Sequence, residues 1–128
     1  MAYYNTKTVN GSFEETEQKT IEELKKEGFG VLTEIDVTQT LKKKLDVDFR
    51  KYKILGACNP PFAHKALQAE PHIGVLLPCN VILQQTDSDT VEVSAVNPLE
   101  TMQSVNNTAL AGIANEVSEK LKRVLSNI

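Results

Sequence analysis

The spacing of apolar residues along the chain switches repeatedly between two and roughly three and a half, and each switch marks an element. Tyr3 to Val9 alternates and predicts a first strand. Asn10-Gly11 turns the chain, and Ser12 followed three residues later by Glu15 makes a capping box. Phe13, Thr20, Ile21 and Leu24 then recur at helical spacing up to Gly28, which predicts a helix over about 12–27. Phe29 to Ile35 reads as a short apolar strand, and Val37 to Leu45 as a short helix capped by Asp36 or Thr38. Tyr52 to Cys58 is a third strand, with Ile54, Gly56 and Cys58 on one face and Leu55 and Ala57 on the other.

Asn59-Pro60-Pro61 opens a helix over about 60–69 that stops before Pro71. Gly74 to Gln85 is the longest apolar run and reads as a strand, joined through Asp87-Ser88-Asp89 to Thr90–Val96 as a hairpin. Within it Val75, Leu77, Cys79, Val81 and Leu83 fall on one face, which puts Cys79 in register with the core. Pro78 cannot donate to a ladder, so it implies a sheet edge or a bulge. Asn97-Pro98 opens a helical turn, and Leu110, Ile113, Ala114, Val117, Leu121, Val124 and Leu125 stripe a final helix over about 107–126. Strands and helices are intermixed but the series closes on a hairpin, so the expected class is α+β, in one domain spanning residues 1–128.

Composition narrows the functional classes. A chain of 128 residues can bury a core without staples. A net charge of −3 lacks the basic excess of a nucleic-acid binder, so no nucleic-acid partner is expected. No apolar run is long enough to span a bilayer, and MAYYNTKTV has neither the basic nor the apolar region of a secretory signal. A cytoplasmic protein without membrane association is the expectation, and its two cysteines should be reduced thiols. Lys42-Lys43-Lys44 is the wet face of a helix, and His72 is a surface residue.

The candidate chemistry is concentrated in Gly56–Asn80, which holds both cysteines, both histidines and four of the five prolines. Cys58 ends a strand directly before a helix N-terminus, where free N–H groups lower a thiol's pKa and favour anions. Cys58, His64 and Cys79 together are a candidate metal set for zinc or copper, with Asn59 beside them in a cofactor-binding pocket. Their intervals of 6 and 15 residues match no closed zinc motif. A second use of the same residues is a thiol enzyme with Cys58 as nucleophile and His64 as base. A third reading makes both cysteines core filler in an interaction module. Neither a Gly-rich phosphate loop, a nucleophile elbow, HExxH nor an EF-hand loop occurs.

Three blocks carry a resemblance: Val31-Leu32-Thr33-Glu34-Ile35-Asp36, Tyr52 to Pro60 with its Ala-Cys-Asn-Pro, and Leu76-Leu77-Pro78-Cys79-Asn80. On these the chain resembles the DUF302 family over nearly its whole length. The resemblance implies a curved, mainly antiparallel sheet packed against helices, grouped with TATA-binding-protein-like folds, and transfers no activity. The leading expectation is thus a ligand-binding or sensing domain for a small molecule or soft metal. Its pocket would lie between the sheet and the Asn59–Ala69 helix, lined by Cys58, His64 and Cys79. Homodimerisation is expected if the strand carrying Pro78 or the terminal hairpin forms a sheet edge.

Overall fold

The computed structural model describes residues 2–128. Its centre is a five-stranded antiparallel sheet in the order β1-β5-β4-β3-β2. The strands are β1 (Tyr4–Asn10), β2 (Gly30–Asp36), β3 (Tyr52–Cys58), β4 (Cys79–Asp87) and β5 (Thr90–Val96). The helices are α1 (Phe13–Lys26), α2 (Val37–Leu45), α3 (Pro60–Ala69), α4 (Pro98–Thr101) and α5 (Thr108–Ser126). Short 3-10 turns at Pro71–Leu76 and Gln103–Val105 complete the chain. The class is α+β, as the alternation of periods predicts.

Period-two alternation gives the sheet one buried face. Leu55 and Ala57 of β3 pair with Val81 and Cys79 of β4, and Val81 and Leu83 pair onward with Ala95 and Val93 of β5. All seven are buried. Against them pack Leu24 of α1 and Val117, Leu121 and Val124 of α5, three of them from the predicted apolar stripe. A smaller cluster of Ala66, Ile73 and Leu110 joins α3 and α5 beside it. Burying a Leu or Val side chain stabilises by about 1.5–3 kcal/mol, so this two-layer contact is the main source of fold stability.

Local chemistry sets the ends of elements. Ser12 Oγ accepts the Glu15 N–H at 3.1 Å and starts α1. Asp36 rather than Thr38 caps α2, accepting the Gln39 N–H at 3.0 Å. Thr38 instead clamps the strand that follows: its hydroxyl donates to the Arg50 carbonyl at 2.7 Å and accepts the Tyr52 N–H at 2.9 Å. Asn97, 2% exposed, accepts from the Leu99 N–H and the Ser118 hydroxyl, both at 3.2 Å, which fixes α4 against α5.

Two expectations about the Gly74–Gln85 run need correction. Pro71–Leu76 forms a 3-10 turn, and β4 begins only at Cys79. Val75 is therefore off the strand and 86% exposed, although Cys79, Val81 and Leu83 do face the core. The reason is local. Pro71 and Pro78 lack N–H donors, and the Glu70 carboxylate accepts the His72 N–H at 3.3 Å, turning the backbone instead of extending it. Pro78 marks neither an edge nor a bulge, because it lies just outside β4. That strand is interior, as is β5, and the free edges are β1 and β2. The bulge nearest this corner is in β2, where the register with β3 shifts between Val31 and Thr33.

Candidate functional site

The cavity at the corner of the sheet arises from three short elements and two sets of small side chains. Gly56 has no Cβ, and one built there would collide with Thr33 Oγ1 and lie 2.9 Å from Pro78 Cγ. Its absence lets the edge strand and the Pro78 turn close over β3. On the other side α3 packs against α5. Ala63, Ala66 and Leu67 share one face of it, at the i, i+3, i+4 spacing that aligns side chains on a helix. Facing them, α5 presents Ile113, Ala114 and Val117. Three alanines on the inward faces of two packed helices leave space that leucines would fill, and the result is a cavity of about 360 Å³. Phe29, Phe62, Leu77 and Met102 complete its apolar wall, and among the described residues no Lys, Arg, His, Asp or Glu lines it.

Both cysteines reach this cavity and His64 does not. Cys58, half-buried, and Cys79, buried, line it together with Asn59 and Thr33, and both thiols are free. His64 of α3 is exposed and does not line the cavity. The expected metal set of Cys58, His64 and Cys79 is therefore not assembled. Among the described residues no three His, Cys, Asp or Glu side chains are grouped to hold a metal ion. Burial, and secondarily the neighbouring Cys58, push the Cys79 thiol up to about 11, so it stays protonated at neutral pH. Nor does His64 hydrogen-bond Cys58 among the described residues, so the pairing a thiol nucleophile needs is not formed.

Asn59 has a different task from the expected cap. It precedes α3, but its side chain makes no cap hydrogen bond. Its amide instead donates to the Glu27 carbonyl at 3.1 Å, tying the end of α1 to the start of α3. Gly28, at φ +87°, makes room for it: a Cβ there would lie 3.1 Å from Asn59 Nδ2. The α3 N-terminus is also a poor anion site, because its first two residues are Pro60 and Pro61, which carry no N–H.

Charges lie outside this cavity. A separate polar cleft of about 270 Å³ holds Glu14, Glu17, Asp36, Lys51 and Lys53. Lys51 bonds Glu14 at 3.0 Å and Lys53 bonds both oxygens of Glu17 at 3.0 and 3.1 Å, bracing α1 to β3. Partial burial disfavours charge on Lys53, yet the Glu17 hydrogen bonds outweigh it and hold its pKa above the usual value. Glu23, 5% exposed, is held below the usual carboxylate range chiefly by the hydrogen bond from Lys26 at 2.8 Å, with Lys19 at 3.3 Å. His72 is exposed, as expected, 3.4 Å from Glu70, and Glu34 is exposed on β2. Among the described residues no helix is long and apolar enough to cross a membrane.

With this geometry the comparisons with known proteins become interpretable. The model of the family described as "Domain of unknown function DUF302" matches residues 5–128. The chain belongs to the DUF302 family. A solved relative, the crystal structure of an uncharacterized conserved DUF302 protein from Bacillus stearothermophilus, is 31% identical and superposes with a TM-score of 0.91. The match covers 99% of this chain and 98% of that one. No curated protein matches. The family thus confirms the fold and leaves the function to be argued from the site. What sequence reasoning missed is the cavity wall. Ala63, Ala66 and Ala114 acquire their meaning only where α3 and α5 face each other across the space.

Proposed function

We propose that this DUF302 protein is a binding domain for a small, largely apolar molecule held between β3, α3 and α5. One observation carries the reading: an apolar cavity of about 360 Å³ built from Ala63, Ala66 and Ala114. Protein interiors are packed like organic crystals and rarely leave voids larger than a water molecule. A space in the range of small-molecule pockets, with apolar walls and a few polar groups, is what ligand sites look like. An apolar cavity of about 150 Å³ already takes up benzene, so this one has room for roughly ten to fourteen carbon atoms. Cys58, Cys79, Asn59 and Thr33 supply the few polar atoms, with Cys58 the more accessible thiol. The test is an NMR titration with decan-1-ol. Saturable shifts confined to α3, α5 and the ends of β3 and β4 support the reading; none at the solubility limit defeats it.

Homodimerisation stays part of the proposal, moved from the hairpin to β2. That edge strand exposes Leu32 and Ile35, at 68% and 49%, and carries no proline or lysine to block a second strand. Leu32 also lines the cavity, so a partner there would cover its rim. Light scattering should show a dimer that a Leu32→Lys, Ile35→Lys variant dissociates. A monomeric wild-type protein would remove this part.

A further inference from the structure

The cavity has apolar walls, but its outer side is not neutral. Phe62 lines it and is half-buried, so this wall reaches the surface. Two ammonium groups stand over its ring: Lys65 Nζ at 5.7 Å and Lys120 Nζ at 5.9 Å from the centroid. They come from different helices, α3 and α5, and converge on one aromatic side chain. Lys65 makes no ion pair among the described residues. Lys120 has Glu27 at 3.9 Å, but that carboxylate is already held more closely by Arg123, with Nη2 at 3.0 Å and Nε at 3.2 Å on the same oxygen. Lys120 and Arg123 thus share one carboxylate, and Lys65 has none among the described residues. The other nearby acids in sequence are Glu116 and Glu119, both exposed; neither pairs with Lys120 among the described residues, and Glu119 lies 3.7 Å from Lys122.

On the reading that this cavity binds an apolar molecule, we propose that the ligand is an aliphatic monocarboxylate whose tail fills the cavity and whose carboxylate meets Lys65 and Lys120. A hydrocarbon tail suits a wall without ionisable side chains, because an ion buried there would find no partner. A carboxylate suits the rim, because it meets ammonium groups already over the cavity's own aromatic wall and can keep part of its hydration. The cavity size sets a chain of about ten carbons. Lys120 is 28% exposed at its side chain, which limits screening of its charge more than for Lys65 on the open surface.

Sodium decanoate and decan-1-ol, compared in the same titration on the intact protein, test this. Decanoate should bind the more tightly. Replacing Lys65 and Lys120 by Gln should weaken decanoate by roughly threefold each, the scale of exposed ion pairs, and leave decan-1-ol unchanged. Raising the salt concentration should weaken decanoate alone. Ala66→Leu, which takes up part of the cavity, should weaken binding of both and so excludes adsorption to the surface. If decan-1-ol binds and decanoate binds no better, or the two Gln variants leave decanoate unaffected, the carboxylate assignment is overturned and the cavity reading stands. If neither binds, both are overturned.

Discussion

Replacing Ala66 with leucine asks whether the space between α3 and α5 is real. Ala66 is 3% exposed and lines the cavity from the middle of α3. In a filled core the added carbons would force neighbours off their rotamers and destabilise by about 1–3 kcal/mol. In this structure they enter open space. Three extra buried carbons contribute roughly 2.4 kcal/mol at about 0.8 kcal/mol each. Ordering the leucine side chain costs about 0.5–1 kcal/mol, and leucine is nearly as good a helix former as alanine. The expected result is a net gain of about 1.5 kcal/mol. With a urea m value of 1–3 kcal/mol/M, typical of small proteins, the midpoint should rise by roughly 0.5–1.5 M at unchanged slope. A lower midpoint would refute the reasoning, because it would mean that Ala66 already sits in a packed interior.

Three further outcomes follow from particular contacts. Gly56→Ala places a Cβ against Thr33 and Pro78 and should destabilise by about 1–3 kcal/mol, with Thr33→Ala in the same chain recovering part of the loss; an unchanged urea midpoint would show that the β2 corner yields freely. The Cys79 thiol, raised from 9.0 to about 11, keeps its proton in the folded state where the unfolded chain loses it. Its contribution is present in full below pH 9 and lost as pH rises towards 11, so the stability difference between wild type and Cys79→Ala should narrow by about 2–3 kcal/mol over that window; a constant difference contradicts it. A thiol reagent at neutral pH should label Cys58 first and Cys79 only on unfolding, and equal rates would show that Cys79 is not enclosed.

The fold was legible in the sequence wherever one period governed a whole element. The α5 stripe, the alternation of β3 and the Asn97-Pro98 turn all appear where the pattern places them, because burial on one face decides each of them. The Gly74–Gln85 run misled because Val75 and Leu77 continue the odd-numbered apolar series while Pro71, Pro78 and the Glu70 carboxylate dictate a turn. Backbone donors outweighed side-chain periodicity there. Pro78 pointed to an edge for a sound reason, the missing donor, but which strands are edges depends on strand order, which pairing at long range decides.

At the site, the sequence drew attention to reactive residues and away from inert ones. Cys58 and Cys79 do reach one cavity, from neighbouring strands whose register joins Ala57 to Cys79. His64 is six residues from Cys58, yet the 100° step of the helix carries it to the solvent side of α3. Asn59 looked like a cap and proved to be a tie to Glu27, a partner 32 residues earlier. The alanines of α3 and α5, which carry no chemistry, make the space. Their meaning depends on two helices facing each other across it, and no local pattern encodes that.

The central claim is that the volume beside Ala63, Ala66 and Ala114 is an apolar binding space, and xenon reports on such spaces directly. A crystal of the protein pressurised with xenon should show anomalous scattering peaks between α3, α5 and the end of β3, weakened in the Ala66→Leu variant. Side chains packed across that volume, with no xenon in it, would contradict the account.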